Sequence, residues 1–357
     1  MDISVRTRVC SMLGIEYPVF AFTHCREVAA AVSRAGGMGM YGAAYYTPEQ
    51  VDDDLVWLSA NTDGRPFGVD VMIPSSGETS NESTIEAQIA DLRSRIPERH
   101  QRFVDELLSR FGVPPVPDGI DVKPVFPLGP SATASRLHIE CALAHGARLI
   151  VSALGTPPKD AVQAAHERGV LVGGMVGAPR HALGQLSAGV DIVIAQGSEA
   201  AAHAGDISTM VLVPQVVDLV APVPVLAAGG IATGPQFLAA RALGAEGIWT
   251  GSMWRVASEN HEQKEVIERL VAASSLDTVR STCMTGKPLR QLHNDWNASW
   301  DAPESPGTLP MPLQRILTAE AEERIEFHGR DDLVVSPIGQ VVGMLREVQP
   351  VETILRD

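Results

Sequence analysis

The chain has 357 residues, 45% of them hydrophobic and 20% charged, the composition of a packed globular protein and not of a disordered one. Its formal net charge of −15, with acidic residues spread over the whole length, argues against nucleic acid as a partner, since a polyanion calls for clustered Lys and Arg. No run approaches the roughly 18 apolar residues of a membrane span, and the opening MDISVRTRVCSMLG lacks the basic-then-apolar order of a signal peptide, so a cytoplasmic protein with no membrane partner is expected.

Along the chain, short apolar runs closed by glycine or another small residue alternate with helical patterns. YPVFAF (17–22) leads into the helical CREVAAAVSRAGG, and GMGMYG (37–42) and FGVDVMI (67–73) follow. Residues 74–130 then break the rhythm: TIEAQIADLRSRIPERHQRFVDELLSRFG is a charged helical pattern and VPPVPDGIDVKPVFPLGP is rich in proline. A helical insertion after the third strand is expected there, on the catalytic face, where it would help to close a site. The rhythm resumes with RLIVSA (148–153), VLVGGMV (170–176), DIVIA (191–195), VPVLAA (223–228) and GIWTGS (247–252). PPKDAVQAAHERG, PRHALGQLSAG and GPQFLAARALGAEG between them space apolar residues by three and four and stop at glycine.

Apolar runs of this kind separated by helices belong to a parallel sheet buried on both faces. Eight such units point to an α/β protein, a closed (β/α)₈ TIM barrel. A doubly wound open sheet is the alternative, because strand order cannot be read from sequence. The tail after Trp254 begins as a helix, turns Pro-rich at DAPESPGTLPMPLQ and ends in a further helix and VSPIGQVVGMLREV. The expected division is barrel over 1–73, insertion over 74–130, barrel with phosphate loops over 131–256, and a helical extension packed on the barrel over 257–357. Cys10, Cys25, Cys141 and Cys283 lie too far apart for a CxxC metal or redox site, and they are expected to be reduced. Cys25 stands beside His24, but neighbours on an extended segment point apart.

VPVLAAGGIATGPQFLAARALGAEGIWTGS carries the most specific chemistry. In a barrel the loops after the seventh and eighth strands commonly bind phosphate, because small residues let backbone N–H groups approach the oxygens near a helix N-terminus. Gly229 and Gly230 occupy the first loop and Gly251 and Ser252 the second. A lone glycine pair would mean little; two such loops one barrel unit apart are more specific.

At these residues the chain resembles the nitronate monooxygenases, formerly called 2-nitropropane dioxygenases, which are FMN-dependent (β/α)₈ barrels. AVSRAGGMGMYGA is similar to the family's AVSNAGGLG, FGVDVMIP to its FGVNL and AQGSEAAAH to its QG-x-EAGGH; AAGGIATG and LGAEGIWTGSMW look like its two phosphate loops. The resemblance implies FMN as cofactor, with Asp70, Met175, Gln196, Gly197, Gly229, Gly230, Gly251 and Ser252 at its site. It also shows departures: FAFTHC replaces a Met-Ala-Gly turn, Asp70 replaces a cofactor-contacting Asn, Met175 stands where several members have Lys, and Ala201–Ala202 replace a glycine pair.

His203 follows the sixth strand at the carboxyl end, where barrel catalytic residues sit, and aligns with the histidine that the family uses as a base. His138, His145, His166 and His181 fall within helical patterns away from strand ends. The resemblance therefore implies oxidation of alkyl nitronates by O₂ to a carbonyl compound and nitrite, with His203 as base, since imidazole titrates near neutrality. His24 and Ser152 are candidate walls of the substrate pocket, and Glu199 and Gln196 are expected to orient backbone or flavin. An NAD(P)H-dependent enoyl or quinone reductase on the same barrel is the alternative, ahead of a flavin-free isomerase or lyase acting on a phosphorylated metabolite. The oligomeric state is open.

Overall fold

The computed structural model describes residues 5–44, 46–73, 85–117, 119 and 132–357. After α1 (Arg8–Leu13) the chain alternates strand and helix: β1 (Val19–Thr23), α2 (Arg26–Arg34), β2 (Met38–Gly42), α3 (Pro48–Asn61) and β3 (Phe67–Val71). Between β3 and the next strand lie α4 (Ile85–Ser94), α5 (Glu98–Arg110) and α6 (Ala132–Ala144). The repeat then continues as β4 (Leu149–Ser152), α7 (Lys159–Glu167), β5 (Leu171–Val176), α8 (Pro179–Ala188), β6 (Ile192–Gln196), α9 (Thr209–Val220), β7 (Val225–Ala228), α10 (Gly234–Ala242) and β8 (Gly247–Thr250). Every pair is parallel, and β8 pairs with β1 through Val19–Ile248, so the sheet closes into a barrel and the open-sheet alternative falls. All eight expected strands form.

The period-2 alternation of a strand sorts the barrel residues into two layers. Phe20, Met38, Met40, Leu149, Val151, Ile192, Ile194, Leu226 and Trp249 fill the interior. Val69, Val71, Ile150, Val193, Ala195, Val225 and Ala227 face the surrounding helices. On β3, this leaves Asp70 directed into the barrel.

The remaining chain forms α11 (Lys264–Ala272), the antiparallel pair β9 (Thr278–Ser281) and β10 (Leu289–Leu292), then α12 (Asp295–Trp300), α13 (Leu313–Phe327) and α14 (Val351–Arg356). It packs in two directions. Val266, Leu270, Ile338, Val342, Val351 and Ile354 cover Val28 and Val32 of α2, so the extension lies on the barrel as expected. Trp296, Trp300, Ile316 and Ala321 instead share a core with Phe103, Val104, Leu107 and Leu108 of α5. The parts of the expected insertion at 74–84, 118 and 120–130 lie outside the described residues.

Candidate functional site

The carboxyl ends of the barrel strands open into a cavity of about 940 Å³. Phe22, Asp70, Met175, Gln196, Ala228 and Trp249 line it from the barrel, and Met284, Leu289, Arg315, Val335 and Pro337 close it from the extension. The barrel alone therefore does not make the site.

After β7, Gly229 and Gly230 adopt φ of +96° and +72°, the left-handed conformation that residues with a β-carbon avoid. Gln236, in the first turns of α10, braces this loop by donating from Nε2 to the Gly230 carbonyl at 2.8 Å and accepting from the Ala232 amide at 2.8 Å. After β8, a β-carbon on Gly251 would meet nothing nearer than Phe22 Cδ1 at 3.9 Å, which leaves open space beside that backbone. Ser252 starts a 3₁₀ turn (Ser252–Val256), and its hydroxyl accepts from the Gly339 amide at 2.9 Å. Gly229, Gly230, Gly251 and Ser252 all face the cavity, an arrangement able to receive a phosphate.

Between β6 and α9, Glu199 caps the helix: its carboxylate accepts from the Thr209 amide at 2.9 and 3.1 Å. Ala202 has φ +57° and forms an antiparallel bridge with Arg290 of β10, whose Nε and Nη2 donate to the Ser198 carbonyl at 3.1 and 3.0 Å. That bridge presents His203. Its Nδ1 donates to the Pro288 carbonyl at 3.0 Å, and since a carbonyl only accepts, Nε2 is the unprotonated nitrogen. Thr285 Oγ1 lies 3.4 Å from Nε2. Burial holds the His203 pKa below its ordinary value, opposed by the Pro288 hydrogen bond, so the half-buried ring is neutral at pH 7.

His24 lies deeper. Its Nδ1 donates to the Gly42 carbonyl at 2.8 Å, and its ring meets Phe22 edge-on at 5.1 Å and Tyr46 at 6.2 Å. Burial lowers its pKa as well. Cys25 turns away, its thiol donating to Glu27 and to the Glu259 carbonyl, each at 3.4 Å, and burial raises its pKa, so it forms no pair with His24. All four cysteines are free thiols.

Two expected site residues do not line the cavity. Ser152 follows the inward-facing Val151 and so points outward, donating to the Gly155 carbonyl at 2.7 Å among Ile73, Ile139 and Ile150. Gly197 packs against α9, where a β-carbon would fall 2.1 Å from Thr209 Oγ1. It sets the approach of helix to strand and does not reach the cavity. Sequence reading missed Thr285 and Pro288, which contact His203 from more than eighty residues away, and Arg290, which holds the backbone of Ser198 and Ala202 before it; no local pattern marks them. It also missed Arg255, which donates to Glu262, to Ser336 Oγ at 3.1 Å and to the Pro337 carbonyl at 3.0 Å, tying the eighth loop to the extension.

A nitronate monooxygenase family profile matches residues 6–357. A provisionally named monooxygenase of Mycobacterium tuberculosis, Rv1533, is 45% identical over 359 residues, covering 99% of this chain and 95% of that one. Among solved structures, FabK from Thermotoga maritima superposes with a TM-score of 0.75 at 26% identity, covering 99% and 95% of the two chains. Nitroalkane oxidase from Streptomyces ansochromogenes superposes with a TM-score of 0.78 at 23% identity, covering 98% and 95%. The last likeness shows the shared barrel. With the profile spanning the barrel, the site loops and the extension alike, the chain belongs to the nitronate monooxygenase family of flavin-dependent oxidoreductases.

Proposed function

We propose that the cavity binds FMN and that the enzyme converts nitroalkanes, through their nitronates, to a carbonyl compound and nitrite with O₂. The reading rests chiefly on His203, which lines the cavity and whose Nδ1 proton is committed to Pro288, so that the neutral imidazole keeps Nε2, 3.4 Å from Thr285 Oγ1, as its basic nitrogen. Such a group can take the proton from the carbon α to a nitro group at pH 7. FMN fits the residues present: left-handed glycines and the open space at Gly251 suit a phosphate, and the buried carboxyl of Asp70 has an oxygen without a partner among the described residues. Gly229, Gly230, Gly251 and Ser252 would hold the phosphate, and Asp70, Met175 and Gln196, on the same cavity, would contact the rest. When bound, FMN supplies the electron acceptor that no side chain provides. His24, Phe22 and Tyr46 wall the space.

The test is spectroscopic. The purified protein, as isolated or reconstituted with FMN, is expected to show a flavin band near ~450 nm that an alkyl nitronate bleaches without oxygen and NADH does not. Rapid bleaching by NADH alone would move the assignment to an NAD(P)H-dependent reductase. Failure to take up FMN would exclude both.

A further inference from the structure

Asp70 is an acid on a barrel interior whose other core residues are apolar, with Gln196 at the end of β6 on the same cavity. The acid is 2% exposed, lines the cavity, and stands opposite Gly42 on β2 and Val151 on β4, neither of which has a side-chain donor. Its Oδ2 has no hydrogen-bond partner among the described residues.

The charged groups on the same cavity do not compensate it. Arg26 is matched by Asp54 and Glu27, Arg255 by Glu262, and Arg315 by Glu322. His24, His203 and His261 face the cavity from the β1, β6 and β8 loops, Cys25 and Tyr46 from the β1 and β2 loops, and Glu199 and Glu326 from the β6 loop and α13. None of them moves the carboxyl: burial alone raises its pKa, to about 8. An ionised Asp70 would be buried with no side-chain donor or counter-charge beside it among the described residues, whereas a neutral carboxyl needs one acceptor for its proton and one donor for its other oxygen.

We infer that Asp70 works as a neutral carboxylic acid that donates its proton in a hydrogen bond to an uncharged, acceptor-bearing ring in the cavity, so that ligand binding and retention of that proton are coupled. The inference rests on the cofactor reading above, which makes the ring that of FMN. An amide at this position could donate a similar hydrogen bond but could never lose the proton. The sign follows from linkage. Below the titration of Asp70 the affinity is independent of this group; above it, each pH unit costs up to about tenfold, because the carboxyl must first be reprotonated.

The experiment is titration of the FMN-free protein with FMN, followed by quenching of flavin fluorescence, from pH 6.5 to pH 9.5. The dissociation constant of the wild type should rise roughly tenfold between pH 7 and pH 9, and that of Asp70→Asn should stay level. Riboflavin, which lacks the phosphate, should give the same difference. Infrared difference spectra of the two proteins at pH 7 should show a carboxylic-acid C=O stretch in the wild type alone, a readout independent of catalysis. A level wild-type profile, an affinity that increases with pH, an equal fall in Asp70→Asn, or absence of the infrared band overturns the inference. No FMN binding at any pH removes the cofactor reading, and this inference with it.

Discussion

Ala202 carries the cost of presenting His203. A residue with a β-carbon loses about 1–2 kcal/mol in the left-handed region, and glycine would relieve it while adding about 0.5–1 kcal/mol of unfolded-state entropy. Ala202→Gly is therefore expected to raise unfolding stability by about 0.5–1 kcal/mol net in a denaturant titration. A loss would show that the Arg290 bridge needs the methyl group. Gly251 tests the phosphate grip more cleanly than Gly230. Valine at Gly230 would strain a backbone at φ +72° whatever binds there, whereas Gly251 has φ −131° and open space around its β-position. Gly251→Val should keep its melting temperature and bind FMN at least about tenfold more weakly, or ~1.4 kcal/mol. Unchanged FMN affinity would reject the assignment. The glycines, His203 and His24 were legible because strand ends and loops are punctuated by residue type. The side of the barrel that Ser152 faces was not, because a run apolar on both faces hides the alternation that separates it from Val151.

At the scale of elements, the eight strands were legible because each is buried on both faces and stands out as a short apolar run. Their ends were less so: VPVLAA yields a strand only from Val225, the two residues before it serving the turn out of α9. What no local pattern could show is that α5 and α13, some two hundred residues apart, share one core with Trp296 and Trp300. Contacts of such separation are specified by complementary surfaces and leave no periodicity behind. Leu107 is 1% exposed in that core, so Leu107→Ala should cost about 2–5 kcal/mol in denaturant unfolding. A change under about 0.5 kcal/mol would mean that the two helices do not fold as one unit with the rest.

For the whole molecule, the division of labour is between a barrel that supplies the loops and an extension that closes the cavity and fixes the tautomer of His203. The family profile is consistent with this, since it runs through the extension to residue 357. Among the described residues, no helix is long and apolar enough to cross a membrane. The electrostatics of the cavity also set a pH profile. Because burial lowers the His203 pKa, its neutral form is lost only in more acid solution than for a free imidazole. The rate on a neutral nitroalkane should be level around pH 7 and fall about tenfold per unit below that lowered pKa, while the rate on a preformed nitronate lacks this limb. The most direct test of the central claim is the ratio of kcat/KM for a nitroalkane and for its nitronate in His203→Asn. Asparagine keeps polarity and approximate size, so FMN should remain bound, and a lost general base is worth ~10²–10⁴-fold. The account predicts a loss of that size on the nitroalkane and a much smaller one on the nitronate; equal losses on both, or none on either, would contradict it.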